Sequence, residues 1–491
     1  MPKKIRTRFA PSPTGYLHIG GVRSALYPEL LARQLGGDFI LRIEDTDQAR
    51  FMPGATENLC RTLKMLGIEP NEGVWIDDSG KIIERGPRGP YIQSLRKSAH
   101  QAYAKQLMDM DKAYYCFCTE ERLTEMRINQ ELAHLPTGYD GLCRKLSKEE
   151  AQKKVDAGEG HVIRLKLPKE GSVVVDDIIR GKVKFEWKLV DDQVIIKRDG
   201  MATYHLASMA DDHDMGITHV IRGEEWLSSA PKHVFIYQAF GWELPVFAHL
   251  PLILNADRSK LSKRQGDVST ESYLDKGYLP EALINFVALM GWNPKGDQEI
   301  YSHKELVDLF DLSKVNKAGA IFNIEKLNWL NNHYLRQLPD DKYFSLILQY
   351  LPKTESDLEL KRRVALLFRE RLNLPAEITE LSAFIFKPKL DYSGISLTWK
   401  DHTKEEASER LKTAKEWIEQ LDDSMMLDSK AIEQVIKSKI IDKGWGNGDT
   451  LWPLRVALSA QEKSPSPFEL IAIYGKTRAL KRVGETLEYL K

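Results

Sequence analysis

Four cysteines in 491 residues are too few for a disulfide framework, so a reducing compartment is expected and the thiols are left for packing or for a metal. Charge of one sign is not in excess either. Lys and Arg number 71, as do Asp and Glu, which excludes the whole-molecule cationic field of a general nucleic-acid binder, so any contact with a polyanion must rest on local patches. There is no long uncharged apolar run, so no membrane span is expected, and no internal repeat or low-complexity tract. The start, Met1-Pro2-Lys3-Lys4, leads at once into strand-like alternation with neither an apolar signal core nor an amphipathic presequence, and a cytoplasmic location is expected. What is present is ordinary for a soluble protein: 42% hydrophobic and 29% charged residues. The length exceeds the roughly 250–300 residues at which one core stops growing, so several domains are expected.

Residues 3–9 alternate, Pro11-Ser12-Pro13-Thr14-Gly15 breaks the alternation, and an apolar helical period over 19–35 closes on Gly36-Gly37. Residues 39–43 read as a short buried strand ending in Glu44-Asp45. Strand, helix and strand in this order form a βαβ unit of the doubly wound kind, whose ligands bind at the carboxyl ends of the strands. Residues 99–203 read as an insertion, with helices through residue 115, a cysteine-bearing loop and strands around 162–167 and 183–196. The sheet pattern resumes with a helical segment from Tyr204, a strand over 219–222 and a helix over 229–240. Beyond residue 300 the pattern is mostly helical, rich in Leu, Lys and Glu.

Two separated strings carry chemistry. The first is His18-Ile19-Gly20-Gly21 at the predicted helix start. Its glycines admit a phosphate-bearing ligand such as ATP close to the backbone, and the helix N-terminus offers N–H groups and a positive dipole end. A histidine there can donate to a phosphate oxygen as charge builds. Alone, the string is equally a capped helix start. The second is Lys260-Leu261-Ser262-Lys263-Arg264. Two lysines three apart in a loop can neutralise a leaving pyrophosphate, whereas an isolated surface pair of that spacing is usually only solvated.

In this order, on either side of an insertion, the two strings resemble the HIGH and KMSKS signatures of class I aminoacyl-tRNA synthetases. The resemblance narrows at Arg8-Phe9-Ala10-Pro11-Ser12-Pro13-Thr14-Gly15, Arg42-Ile43-Glu44-Asp45-Thr46-Asp47, Thr203-Tyr204-His205-Leu206-Ala207 and Ile221-Arg222-Gly223-Glu224-Glu225-Trp226, which look like blocks of the bacterial glutamyl type. It runs with specific motifs to residue 335 and more loosely to Pro453-Leu454-Arg455-Val456-Ala457-Leu458. It implies an α/β fold with a Rossmann-like catalytic domain split over 1–98 and 204–255, an inserted α+β acceptor-binding domain at 99–203, a stem-contact domain at 256–339 and an α-helical anticodon-binding domain at 340–491. It also implies a monomeric ligase that uses ATP and Mg2+ to join L-glutamate to the 3′ end of tRNA(Glu).

Carried over residue by residue, the resemblance places Pro11, Ser12, Thr14, Gly15, His18, Gly20, Gly21, Glu225, Trp226, Lys263 and Arg264 at ATP, with His18, Lys260 and Lys263 acting on the phosphoryl chemistry. It places Arg8, Ala10, Ser12, Glu44, Tyr204, Ser208 and Arg222 at glutamate. A dicarboxylate bearing one ammonium demands two donor-rich clamps and one acceptor, and these residues supply them. By resemblance Arg8 and Tyr204 take the side-chain carboxylate and Glu44 the ammonium, while Arg222 serves a carboxylate that is left open. The alternative for Arg42 with Glu44, and for Arg222 with Glu224, is an ordinary salt bridge, and for Trp226 a core position. The family usually has Asn where this chain has Ser208. Arg369 and Arg371 are candidates for reading the anticodon.

Cys60 reads as a small core residue, whereas Cys116 and Cys118 form C-x-C and Tyr139 stands four before Cys143. Some family members hold zinc through C-x-C followed by C-x-H, which Lys145 rules out here. A related synthetase-like family uses C-x-C with Y-x-x-x-C, and that resemblance implies one structural zinc on Cys116, Cys118, Tyr139 and Cys143, against the alternative of buried thiols beside a packed tyrosine. Among rival readings, a glutaminyl-tRNA synthetase typically carries a β-rich anticodon region where this tail reads helical. A truncated tRNA-modifying paralogue lacks the C-terminal third. A small-molecule nucleotidyltransferase needs neither the tail nor Arg8, Glu44 and Tyr204, and a catalytically dead tRNA-binding scaffold would not need His18 and Lys263.

Overall fold

The computed structural model describes residues 3–261, 269–294, 296–355 and 357–491; the expected positions Lys263 and Arg264 lie outside the described residues. The chain divides into two compact units, Met1–Leu330 and Asn331–Lys491, where the sequence expectation sets its last boundary at 339/340.

The first unit is built on an eight-stranded sheet. Its strands are β1 (Arg6–Phe9), β2 (Asp38–Leu41), β3 (Glu72–Ile76), β4 (Ile82–Arg85), β7 (Ser172–Asp177), β8 (Gly181–Glu186), β10 (His219–Gly223) and β11 (Val246–Leu250). A separate antiparallel sheet runs in the order β5 (Ala113–Cys116), β6 (Val162–Leu165), β9 (Val194–Ile196). The large sheet runs β4-β3-β2-β1-β10-β11-β7-β8, parallel from β3 to β7 and antiparallel only at its two edge pairs. Its centre is the doubly wound order in which the winding reverses between β1 and β10, and the carboxyl ends of those two strands open a crevice.

Helix α1 (Ile19–Gln34) packs against β1, β2 and β10, with Ile19, Val22, Ala25, Leu26 and Leu30 buried. The expected helix over 19–35 is thus present to within a residue. The alternation in residues 3–9 has a different cause from the one the pattern suggests. All four residues of β1 are buried, Arg6 and Arg8 included, because each arginine meets an internal carboxylate: Asp38 and Glu72 for Arg6, Asp212 for Arg8. A central strand therefore looks half-exposed in sequence.

The insertion expected at 99–203 is not a separate body in the sheet. Its hairpin β7–β8 joins the large sheet, with Asp177 opposite Phe247 of β11 and the Ile178 N–H donating to the Phe247 carbonyl at 2.9 Å. The strand signal over 183–196 splits between the two sheets, and the helix expected through residue 115 ends at Asp109, with β5 following.

In the second unit every regular element of the described residues is helical. Leu411, Ile418, Ile436, Leu454, Leu458 and Ile471 form part of one continuous apolar core. Its last helix, Pro467–Tyr489, is interrupted at Gly475, whose φ of 69° only glycine adopts without strain. Among the described residues no helix is long and apolar enough to cross a membrane.

Candidate active site

A cleft of about 500 Å³ opens at the carboxyl ends of β1 and β10, where the winding reversal places it. Its walls carry Arg8, Ala10, Pro11, Ser12, Thr14, Gly15, His18, Gly20, Gly21, Glu44, Tyr204, Arg222, Glu225, Trp226 and Lys260, so fifteen positions singled out in the sequence share one cavity. Among the described residues expected at ATP and glutamate, Ser208 is the exception: it is fully buried and accepts from Arg42 Nη2 at 3.2 Å, behind the wall.

His18 is the N-cap of α1, and its Nδ1 accepts from the Gly21 N–H at 3.2 Å. The neutral ring then carries its proton on Nε2, the donor a phosphate oxygen requires. Glycine follows from space. A Cβ on Gly20 would meet the His18 ring at 2.9 Å, and one on Gly21 would meet Leu17 at 2.6 Å.

At the Arg8 end of the cleft the charges cancel inside the chain. Arg8 Nε donates to both Asp212 oxygens at 3.2 and 3.3 Å, Arg42 Nη1 lies 2.7 Å from Asp212 Oδ1, and Arg42 Nη2 donates to Glu44 at 2.9 Å. The Arg42–Glu44 salt bridge, the bland alternative for that pair, therefore exists and also presents Glu44 to the cleft. Burial pushes Glu44 above the usual carboxylate range, with Arg42 opposing. Behind it, Asp211 receives Gln93, Arg96 and His100 at 2.6–2.8 Å.

The Arg222 end is different. Glu224 is engaged by Arg180 at 2.5 Å, so the Arg222–Glu224 alternative does not form. Arg222 is buried, and no carboxylate of the described residues lies within ion-pair distance of it. It donates to the Tyr204 hydroxyl at 2.8 Å, His249 Nε2 at 3.0 Å, His233 Nδ1 at 3.1 Å and the Trp226 carbonyl at 3.5 Å. Burial raises Tyr204 above its ordinary value, so it stays a phenol whose proton is available to a ligand oxygen. Trp226 is 37% exposed and tilted over Tyr204 with centroids 4.1 Å apart, which excludes the core reading. Sequence reasoning missed Asp212, Asp177, His249 and His233. The one available signal was the adjacent pair Asp211-Asp212 in α2 (Tyr204–Asp214), both fully buried.

Cys116, Cys118 and Cys143 are buried, with their sulfurs within 4.8 Å of one another. Cys118 and Cys143 are 3.5 Å apart, and the Tyr139 hydroxyl lies 3.4 Å from Cys116 and 3.6 Å from Cys118. A tetrahedral zinc with Zn–S of about 2.3 Å and Zn–O of about 2.0 Å separates sulfurs by about 3.8 Å and sulfur from oxygen by about 3.5 Å. The donor set fits. Main-chain N–H groups of Phe117 and Cys143 donate to Cys143 Sγ and the Tyr139 oxygen, Arg122 reaches Cys118, and the Arg164 guanidinium sits 4.0 Å over the Tyr139 ring. A hydrogen bond from the Cys143 thiol holds the Cys116 thiol below its ordinary range. Cys60 stands apart, buried in the helix Ala55–Met65, as expected of a core thiol.

In the second unit Arg369 pairs with Asp340 at 3.0 Å and lies 4.3 Å over Tyr343, while Arg371 donates to the Leu367 carbonyl at 2.9 Å and lies 3.3 Å from Glu469. Both are tied to their own unit, Arg371 being the more exposed, at 40% of its side chain against 17%.

Residues 4–329 match the family model for the catalytic domain of class I tRNA synthetases (E and Q), and residues 332–487 match that of an anticodon binding domain. The chain belongs to the class I tRNA synthetases. Curated relatives named glutamate–tRNA ligase extend along its whole length: that of Finegoldia magna is 43% identical over 99% of both chains, and that of Prosthecochloris aestuarii 44% identical over 99% of this chain and 98% of its own. The crystal structure of a glutamate tRNA ligase from Elizabethkingia meningosepticum, in complex with its amino acid, superposes with a TM-score of 0.87 at 37% identity and covers all of both chains. The fold is thus the class I synthetase fold, with a Rossmann-like core and a helical C-terminal anticodon domain. ATP and Mg2+ use comes with that class.

Proposed function

We propose that this chain is a monomeric cytoplasmic glutamate–tRNA ligase, which activates L-glutamate with ATP and transfers it to the 3′ end of tRNA(Glu). The observation that carries the reading is one cleft holding both the His18 helix N-terminus and a buried arginine whose partners within the chain are neutral. The first suits a triphosphate and the second a carboxylate.

In the first step an α-carboxylate oxygen of glutamate attacks the α-phosphorus of ATP, forming the acyl-phosphate bond as the bond to pyrophosphate breaks. No general base is needed, because the carboxylate is already ionised. His18, with Lys260, Lys263 and Arg264 of the second signature and Mg2+ brought with ATP, stabilises the charge that leaves. Pro11, Ser12, Thr14, Gly15, Gly20, Gly21, Glu225 and Trp226 seat the nucleotide. Glu44 accepts the ammonium, Arg8, Tyr204 and Arg222 clamp the carboxylates, Ala10 and Ser12 line the wall, and Ser208 acts indirectly by holding Arg42. In the second step the terminal ribose hydroxyl of tRNA attacks the acyl carbon and AMP leaves.

The inserted segment would meet the acceptor end of the tRNA, with one zinc on Cys116, Cys118, Tyr139 and Cys143 fixing its fold and taking no part in phosphoryl transfer. The second unit would read the anticodon, with Arg371 the better placed of the two arginines. A glutamine substrate is disfavoured because a neutral amide leaves Arg222 uncompensated and presents donors to donors. The test is pyrophosphate exchange with purified tRNA present. Exchange with glutamate is expected, and comparable exchange with glutamine, or none with either, overturns the reading.

A further inference from the structure

We propose that His249, locked by Asp177, and His233, backed by His205, are positioning residues that aim the Arg222 guanidinium at the substrate carboxylate without neutralising it. The proposal rests on the glutamate reading of the cleft.

Arginine has donors only, so each ring nitrogen facing Arg222 must be an unprotonated acceptor. At His249 the acceptor is Nε2, 3.0 Å from Arg222 Nε, which puts the ring proton on Nδ1, and Nδ1 lies 2.6 Å from Asp177 Oδ2. Asp177 thereby chooses the tautomer. Its carboxylate has a second task. Oδ1 accepts from the Ile179 and Arg180 N–H groups at 2.9 and 2.7 Å, closing the β7–β8 turn, and Oδ2 also accepts from the His249 N–H at 3.0 Å. The negative charge is satisfied by the turn and by β11, one residue removed from Arg222.

At His233 the geometry is reversed. Nδ1 accepts from Arg222 Nη2 at 3.1 Å, so the proton sits on Nε2, which faces His205 Nδ1 at 3.2 Å. Asp177, His233 and His249 are each at most 2% exposed. Burial holds His249 and His233 below the ordinary imidazole range, which keeps them neutral beside the guanidinium.

Arg8 shows what a carboxylate would do in the same place. Asp212 fixes it but also cancels its charge. Neutral imidazoles give Arg222 the same rigidity and leave the whole charge for the ligand. A purely structural reading would have these groups simply join β7 to β11, a junction the Ile178–Phe247 backbone bond already makes.

The two readings separate in paired substitutions. A glutamine carbonyl reaches where the imidazole Nε2 stands and an asparagine carbonyl where Nδ1 stands. His249→Gln can still accept from Arg222 and His249→Asn cannot, whereas His233→Asn can and His233→Gln cannot. In tRNA-dependent pyrophosphate exchange, His249→Asn and His233→Gln are expected to raise the KM for glutamate about tenfold or more with the KM for ATP within about twofold. Their partners should stay within about threefold of wild type. The crossed order is the signature, and it survives the loss of one variant to misfolding because either pair alone has a stated order. Equal glutamate KM values within each pair, or glutamate and ATP KM values moving together, overturn the positioning role. Wild-type exchange with glutamine in place of glutamate overturns the underlying reading instead.

Discussion

Arg8 and Arg222 lie on adjacent parallel strands, both buried and both facing one cleft, yet they are handled in opposite ways. Arg8 belongs to a chain of alternating charges through Asp212, Arg42 and Glu44, while Arg222 is held by a phenol, two imidazoles and a carbonyl. A buried cation already paired within the protein, as Arg8 is with Asp212, offers a ligand N–H donors but little net charge. One fixed by neutral acceptors keeps its charge for something that enters. The cysteine cluster mixes the two with the sign reversed: neutral main-chain N–H groups fix Cys143 and Tyr139, while the Arg122 guanidinium brings an opposite charge to Cys118.

The largest expected effect is on the scaffold side. Arg42→Leu leaves Glu44, Asp211 and Asp212 short of their shared cation and should lower unfolding free energy by on the order of 3–5 kcal/mol. Urea unfolding measures it, and a loss below about 1 kcal/mol would show that these charges are solvated rather than interlocked.

Arg222→Leu sharpens the contrast. It orphans no carboxylate, only the neutral acceptors of Tyr204, His249 and His233, so stability should fall by less than in Arg42→Leu, while glutamate activation should fall about a hundredfold, roughly 2.7 kcal/mol. A stability loss matching that of Arg42→Leu would erase the distinction between the two ends.

For the cysteine cluster, protein purified without chelator should contain about one zinc per chain. Cys118→Ser or chelation should remove it and lower the melting temperature by about 2–4 °C, with the KM for ATP unchanged. A metal-free, equally stable wild type would return these residues to ordinary packing.

A further effect concerns pH at the Arg222 end. Burial, ahead of the charge of Lys232, lowers His205 from 6.5 to about 4. The unfolded chain takes up a proton near its ordinary value that the folded chain refuses, so this contribution is intact above pH 6.5 and is lost as pH falls from there to about 4. Stability should drop by about 1.4 kcal/mol per pH unit in that window from this residue. His205→Gln should make that part of the profile less steep, the remainder coming from His233 and His249, and an unchanged slope would show that His205 takes no part in the titration.

The Arg42–Glu44 pair was legible because its members are two residues apart on one strand end. Arg8–Asp212 was not, since 204 residues separate them and only the placing of α2 beside β1 joins them. Arg222–Glu224 looked like the same short-range pair and failed, because Arg180, distant in the chain on the β7–β8 turn, pairs with Glu224 instead. Ser208 occupies a helix position that the family resemblance assigns to the pocket, but the buried face of α2 turns it toward Arg42.

Periodicity, glycine spacing and capping are properties of neighbouring residues, so local sequence specifies α1 and its His18 cap, the strands on either side of it and the helical character of the second unit, whereas the C-x-C and Y-x-x-x-C residues were picked out by family resemblance. Tertiary structure alone decided that the β7–β8 hairpin joins the large sheet, that Asp177 meets His249, and that of two buried arginines one is neutralised and the other is not. The reason is that strand order sets which distant side chains share a low-dielectric interior, where an opposite charge at contact distance outweighs anything adjacent in the chain.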